Sequence, residues 1–101
     1  MSVQNSQKDQ SGTLIKERVR QPRRYKVFLV NDDFTTMEFV VEILQKVFRM
    51  TQPQATRIML SVHTDGIGLA GIYTREIAET RLEQVHQLAY AAGHPLQAIM
   101  E

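Results

Sequence analysis

The sequence contains no cysteine and no long apolar run. Without cysteine, the protein has no disulfide bond, thiolate nucleophile or cysteine-ligated metal site. Its apolar runs are far shorter than the ~18 residues that a membrane-spanning helix needs. Residues 1–10 lack the apolar centre of a secretory signal and include an acid, which transit peptides seldom do. We therefore expect a cytoplasmic protein that does not associate with membranes.

The size and charge of the chain predict one small domain preceded by an arm. A chain of 101 residues, 43% of them hydrophobic, can form a single modest core. Residues 1–24 carry six basic and two acidic side chains, whereas residues 25–101 carry six basic and nine acidic ones. The leading segment is polar and has no sustained hydrophobic period, so we predict a disordered arm over residues 1–23 and a folded domain over residues 24–101.

Three threonines mark the starts of the predicted helices. Thr35 followed by Glu38, and Thr51 followed by Gln54, form capping boxes, in which each side chain bonds the other residue's backbone amide. Thr74 can cap a third helix whose first turn carries an acid, which the helix dipole favours. Apolar residues at helical spacing follow each start. Those expected to face the core from the third helix are Ile77, Val85, Leu88, Ala89 and Ala92.

Three short apolar runs predict strands. They lie at residues 25–30, 67–73 and 96–100. The second run contains glycine, which within a strand indicates a close neighbour. With the helices placed between them, the order is β-α-α-β-α-β. We predict an α/β (α+β) two-layer sandwich, in which three helices pack on one face of a small three-stranded antiparallel sheet.

Three polar residues, Asn31, Asp32 and Asp33, separate the first strand from the first helix. Such residues favour turns and helix caps because their side chains bond nearby backbone amides. Thr35 already provides a helix cap, however, so neither acid is needed to cap the helix. A negative cluster beside apolar residues also suits an ammonium group, for which asparagine and a histidine such as His63 supply further acceptors.

The sequence has little that is typical of an enzyme. It contains no Gly-rich phosphate loop, HExxH motif or nucleophile elbow. We expect no catalytic residue, no metal and no cofactor. Two other hypotheses remain open: a small hydrolase that uses Asp32 or Asp33 with His63, and a ribosome- or nucleic-acid-associated module that uses the basic N-terminal arm. The excess of acids in residues 25–101 argues against a basic patch on the folded domain.

Three stretches resemble the ClpS family, the adaptors of the bacterial Clp protease in the N-end rule pathway. They are YKVFLVNDDFTTMEFVV at residues 25–41, ATRIMLSVH at residues 55–63 and GIYTREIAET at residues 71–80. The resemblance implies a bacterial cytoplasmic adaptor rather than an enzyme. It would bind N-degron substrates through a free first residue, Leu, Phe, Tyr or Trp, and deliver them to the AAA+ unfoldase ClpA of ClpAP for degradation. We expect a monomer that does not bind nucleic acid.

The family's motif implies roles for residues of the polar turn. At matching positions, Asn31, Asp32 and His63 would hold the free α-amino group of the substrate. Asp33 would shape the pocket entrance and contact the substrate backbone, with Thr35 beside it.

The same resemblance implies a hydrophobic pocket for the first side chain of the substrate. Its lining would be Met37, Val40, Met59 and Leu96. The methionine that matches Met37 obstructs β-branched side chains in the family, so Ile and Val should be rejected.

A second surface would dock on ClpA, through Glu76, Arg81 and Tyr73. Lysine is common in the family where this chain has Arg81, and arginine keeps the charge but changes the donor geometry. Another departure is Thr36, where many members have proline at what we expect to be the first helical position. The N-terminal extension is needed for delivery in the family, while the core suffices to bind substrate.

Overall fold

The computed structural model describes residues 22–101. The predicted arm, residues 1–23, lies outside this range except for its last two residues. Six elements follow one another along the described chain. They are β1 (Arg24–Val30), α1 (Met37–Lys46), α2 (Gln52–Asp65), β2 (Ile67–Thr74), α3 (Arg75–Ala92) and β3 (Gln97–Met100). The predicted order β-α-α-β-α-β is confirmed.

The strands form one antiparallel sheet in the order β2-β1-β3. Strand β1 is central and alternates in burial, with Val27 and Leu29 fully buried on the face that the helices cover. The predicted fold class, three helices against a small antiparallel sheet, is confirmed. The opposite face carries partly exposed apolar side chains, and none of the helices in residues 22–101 covers it.

A bulge in β2 changes which of its side chains face the helices. Val27 pairs with Gly71, but the next residue of β1 pairs with Leu69, so that Ala70 is the extra residue. A bulge of this kind breaks the strict alternation of a strand. Tyr73 therefore lies on the covered face, and its ring stands over Gly71, where an added Cβ would lie only 2.5 Å from the tyrosine hydroxyl.

The core lies between the sheet and one face of each helix. From α3 it receives Ala78, Val85 and Ala89. Our prediction for this helix was right for Val85 and Ala89 but wrong for its other members, which lie at the surface: Ile77, Leu88 and Ala92. Alanines at the contact let the helix approach the sheet closely, so the buried stripe is narrower than the apolar stripe of the sequence.

Helix α2 is bounded by side-chain and backbone signals that the sequence contained. Thr51 and Gln54 form the predicted capping box, with both side-chain-to-amide bonds present. The helix ends at Gly66, which adopts a left-handed φ of 87° that favours glycine. Thr74 lies at the predicted N-cap of α3, but its side chain makes no capping hydrogen bond.

Candidate functional site

The polar turn after β1 lies against the end of α2. The backbone N–H of Asn31 donates to the carbonyl of Gly66 at 3.0 Å, which joins the first residue of the turn to the C-cap of that helix. His63 and Met59 lie in the last two turns of α2, so this bond brings them to the same place as the turn. Two segments far apart in sequence thus form one site.

Asp32 organises the turn itself. One carboxylate oxygen accepts hydrogen bonds from the backbone N–H groups of Phe34, at 2.8 Å, and Thr35, at 2.7 Å. The other oxygen accepts the Thr35 hydroxyl at 2.7 Å. Three of the roughly four lone-pair positions of this carboxylate are therefore used inside the turn, and one remains for another donor.

The prediction that Thr35 caps α1 was wrong, because Asp32 binds both its N–H and its hydroxyl. The cap is the next residue, Thr36, whose side chain accepts from the N–H of Phe39 at 3.1 Å. Thr36 is thus not the first helical position that we expected. Asp32 is also not surplus to the turn, as we had argued, since it fixes the backbone in front of the helix.

These bonds keep Asp32 ionised. Burial raises the pKa of its carboxyl, but the Thr35 hydroxyl, the amides of Thr35 and Phe34 and the positive charge of His94 together outweigh burial. The net result is a pKa below its ordinary value of 3.8. Hydrogen bonds to an ionised carboxylate favour that form over the neutral acid. The site therefore holds a fixed negative charge at neutral pH.

Beside this charge is a cavity of about 240 Å³ between the turn, α1 and α2. Its polar side is lined by Asn31, Asp32, Asp33, Thr35 and His63. Its apolar side is lined by Met37, Val40, Met59 and Val62. One concave surface thus combines fixed negative charge with flexible apolar walls, which suits a ligand that is cationic at one end and apolar at the other.

Eight of the nine residues expected at the pocket line this cavity, and Leu96 is the exception. Leu96 is only 3% exposed and packs in the hydrophobic core. Val62 packs in the core, where it is only 1% exposed, and it also lines the cavity. Its position directly before His63 on α2 was the available signal. A residue in the core and a residue that lines an apolar pocket both have apolar side chains that point inward, so hydrophobic periodicity cannot distinguish the two.

Several polar groups of the cavity are free to receive a ligand. The side chains of Asn31, Asp33 and His63 form no hydrogen bond with any residue of the described range 22–101, and all three residues are exposed. Met37 is 42% exposed, so the apolar wall also opens toward solvent. The turn is therefore held by Asp32, while its neighbours supply unused acceptors.

The residues expected at a second surface fall into two groups. The guanidinium of Arg81 stacks on the ring of Tyr73, 5.6 Å from its centroid, and one of its terminal nitrogens donates to Gln84 at 3.2 Å. Glu76 lies in the first turn of α3 and lines a shallow depression that also includes Tyr25. Tyr73 and Arg81 thus form a stacked pair, and Glu76 belongs to the adjoining surface.

Other features of the described chain are less suited to a specific ligand. A depression of about 530 Å³ runs along α3, but only side chains of that one helix line it, so it is shallow and open. No three His, Asp or Glu side chains within residues 22–101 converge as metal ligands do. None of the helices in this range has the length and apolar character to cross a membrane.

Comparison with known proteins gives consistent results. The model of the family "ATP-dependent Clp protease adaptor protein ClpS" matches residues 20–99. The Clp protease adapter protein ClpS of Lawsonia intracellularis is 57% identical over 88 residues, which are 87% of this chain and 81% of that protein. The ClpS of Neisseria gonorrhoeae is 62% identical over 80 residues, 79% of this chain and 77% of the other.

A solved structure is also similar. Agrobacterium tumefaciens ClpS2 bound to L-phenylalaninamide superimposes with a TM-score of 0.77 at 40% sequence identity. The match covers 80% of this chain and 98% of the other.

Proposed function

This chain belongs to the ClpS family of Clp protease adaptors, and from that premise we propose that it binds the free N-terminal residue of N-degron substrates. The observation that carries the proposal is the cavity of about 240 Å³, in which an ionised aspartate turn faces an apolar wall. The ligand of the similar ClpS2 structure is L-phenylalaninamide. That molecule has a free α-amino group, an apolar side chain and an amide, as the first residue of a polypeptide does.

The polar side of the cavity holds the α-amino group. Asp32 supplies the fixed negative charge and one free lone-pair position, and Asn31 and His63 supply neutral acceptors. An ammonium group taken from water must be neutralised and hydrogen-bonded, since an unpaired one costs several kcal/mol. Asp33, exposed at the rim, contacts the substrate backbone with Thr35 beside it.

The apolar side of the cavity holds the first side chain. Met37, Val40, Met59 and Val62 line it, and Leu96 supports it from the core. Burying one Leu-sized side chain contributes about 1.5–3 kcal/mol, and each charge-assisted hydrogen bond adds about 1.5–3 kcal/mol. After the cost of association we expect a Kd near micromolar, equivalent to about −8 kcal/mol. Such an affinity allows an adaptor to release its substrate.

We further propose that the adaptor is not itself an enzyme, acts in the bacterial cytoplasm as a monomer and delivers its substrate to the unfoldase ClpA. Tyr73, Arg81 and Glu76 form the docking surface for ClpA, because a stacked guanidinium and an adjacent acid offer charges of both signs on one end of α3. The segment before β1 serves delivery rather than substrate binding.

The test of substrate recognition is fluorescence anisotropy with two peptides that differ in one acetyl group. One peptide begins with a free Leu, and the other carries the same Leu acetylated. We expect the acetylated peptide to bind at least about a hundredfold more weakly, because it has lost the charge and the ammonium donors. Equal binding of both peptides, or binding of neither, would refute the proposed function.

A further inference from the structure

The shallow depression along α3 has a lining that combines apolar and acidic side chains. Leu82 and Tyr90 are its apolar and aromatic members, and Glu79 and Glu83 are its acids. Tyr90 is 88% exposed, more than any other large hydrophobic side chain of residues 22–101. No lysine or arginine of this range lines the depression. An exposed surface of this kind favours a partner that carries both basic and apolar side chains.

His86 gives the depression a fixed side toward the sheet. Its Nε2 atom accepts the backbone N–H of Ala98 in β3, an edge strand, at 3.0 Å. Lys26 and Glu101 exchange both backbone bonds at 2.9 Å, so the N–H of Ala98, three residues earlier, points away from β1. His86 thus occupies a donor that an added strand would need. A segment in the depression would therefore bind through its side chains rather than extend the sheet there.

The described chain begins beside this depression. Pro22 and Arg23 line a second depression together with Arg75, the first residue of α3. Arg75 is paired with Glu79, one turn further along the helix, at 3.2 Å. Glu79 in turn lines the larger depression. Residues 1–21 are therefore joined to the domain at one end of the larger depression.

The preceding segment has the length and the side chains to follow α3. From Arg75 to Tyr90 the helix rises about 22 Å, at about 1.5 Å per residue. An extended chain covers that distance in about seven residues, at about 3.3 Å per residue. The seven residues before Pro22 are residues 15–21, IKERVRQ, with three basic, one acidic and two apolar side chains. This is the composition that the lining of the depression favours.

Laid along α3 from Pro22, the segment brings opposite charges together. Each residue of an extended chain spans roughly two residues of helix, because the two rises are about 3.3 Å and about 1.5 Å. The facing pairs are then Arg20 with Glu79, Val19 with Leu82, Arg18 with Glu83, and Ile15 with Tyr90. Both acids of the depression therefore face an arginine, and its exposed aromatic ring faces an apolar side chain.

We propose that residues 15–21 dock in extended form along α3 of their own chain. A shallow surface holds a free peptide weakly, but a tethered segment acts at an effective concentration in the millimolar range. A second copy is a poorer occupant, because a stable interface takes about 20–30 residues a side, whereas side chains of one helix alone line this depression. Exposed ion pairs contribute little each, so the docking is reversible.

Docking would hold the segment on the domain in the free adaptor. Because the segment before β1 is proposed to serve delivery, an unfoldase would have to remove it from α3 before pulling on it. This consequence rests on the proposed function. The docking itself does not involve the cavity at the aspartate turn, so it can be tested separately.

The test is paramagnetic broadening in NMR spectra, which a chain without cysteine makes straightforward. Thr13→Cys introduces a single thiol just before the docked segment, and a nitroxide label is attached to it. We expect the label to broaden the backbone amide signals of the last two turns of α3, around His86 and Tyr90. The amide signals of α2, which packs on α1 and β2, should stay sharp.

A charge exchange supplies the matched controls, each in the labelled Thr13→Cys background. Arg18→Glu and Glu83→Arg each replace an attraction by a repulsion, so each should lower the docked fraction by roughly two- to fivefold. The two substitutions together restore a pair of opposite charges and should return the broadening to its original extent. A mixture of labelled protein with unlabelled, isotope-enriched protein detects contacts between copies.

Selective broadening of α3 that either substitution reduces and the pair restores would support the docking. Broadening that is absent, that is even over the domain or that does not change in Arg18→Glu would overturn it. Broadening in the mixed sample would assign the depression to a second copy and would also overturn the proposal. Anisotropy with the free-Leu peptide should be the same in all these variants, so a failure of the proposed function is distinguished from a failure of the docking.

Discussion

Replacing Thr35 with valine tests how much one hydroxyl contributes to keeping Asp32, the carboxylate that we propose binds the ammonium group, ionised. Valine has nearly the shape of threonine, so the variant loses little besides the 2.7 Å bond from the hydroxyl to Asp32. A hydrogen bond to a charged group contributes about 1.5–3 kcal/mol. Because this bond is only partly buried, we discount its contribution to about 1 kcal/mol. The backbone donors of Phe34 and Thr35 remain, so the turn should persist.

The expected loss depends on pH in a defined direction. The pKa of Asp32 is lowered in the folded state from its ordinary value of 3.8, so its contribution to stability is present above that value and is lost as the pH falls through the folded pKa. Urea unfolding should therefore show Thr35→Val less stable than wild type by about 1 kcal/mol near pH 7. The difference should shrink as the pH falls further, through the folded pKa of Asp32, where the carboxyl becomes protonated in both proteins.

The neighbouring threonine provides the matched control. Thr36→Val removes the cap bond to the N–H of Phe39 and should also cost about 1 kcal/mol. That bond joins two neutral groups, so its loss should be the same at every pH. Only Thr35→Val should weaken binding of a free-Leu peptide, by about threefold or more, because only it releases Asp32. Equal pH dependence in the two variants would refute the role that we assign to Thr35.

Three other predictions concern the gate, the core and the arm. Met37→Ala should admit peptides that begin with Ile or Val by clearing space near their Cβ atoms, and continued rejection in an anisotropy assay would show that another residue is the gate. Val85→Ala should lower the free energy of unfolding by about 2 kcal/mol because Val85 is fully buried, whereas Leu88→Ala, at a half-exposed site, should cost clearly less in the same urea titration. Deleting residues 1–20 should spare peptide binding and abolish degradation of a fluorescent N-degron substrate by ClpAP, and normal degradation would contradict the role of that segment.

The sequence predicted the elements because their boundaries depend on local chemistry. The capping box of Thr51 and Gln54 and the glycine after α2 act through bonds within a few residues, and the capping box is present as predicted. The error at α1 has the same local origin. Thr35 and Thr36 are equally good caps in isolation, and only the competition of Asp32 for Thr35 decides between them.

The composition of the cavity wall could not be predicted from local pattern. Leu96 and Val62 are both apolar and both pack in the core, yet only Val62 also borders the cavity. The difference arises from how α2 lies over β2. Gly68 lets the helix approach so closely that an added Cβ would lie 2.7 Å from a methyl group of Val62. Such a contact depends on how two elements pack against each other, so the hydrophobic periodicity of either element does not reveal it.

In the proposed function, the polar turn has a structural role and a ligand-binding role, and different residues carry them. Asp32 has most of its lone pairs committed to the turn, which fixes both its position and its charge before a ligand arrives. Preorganised charge of this kind loses little entropy on binding. We propose that Asn31, Asp33 and His63, whose side chains bond no other residue within 22–101, supply the directional acceptors for the ligand. A single aspartate could not both hold the turn and adjust to a ligand. A carboxylate that rotated to follow its ligand would release the turn that places Asn31 and Met37 at the same cavity.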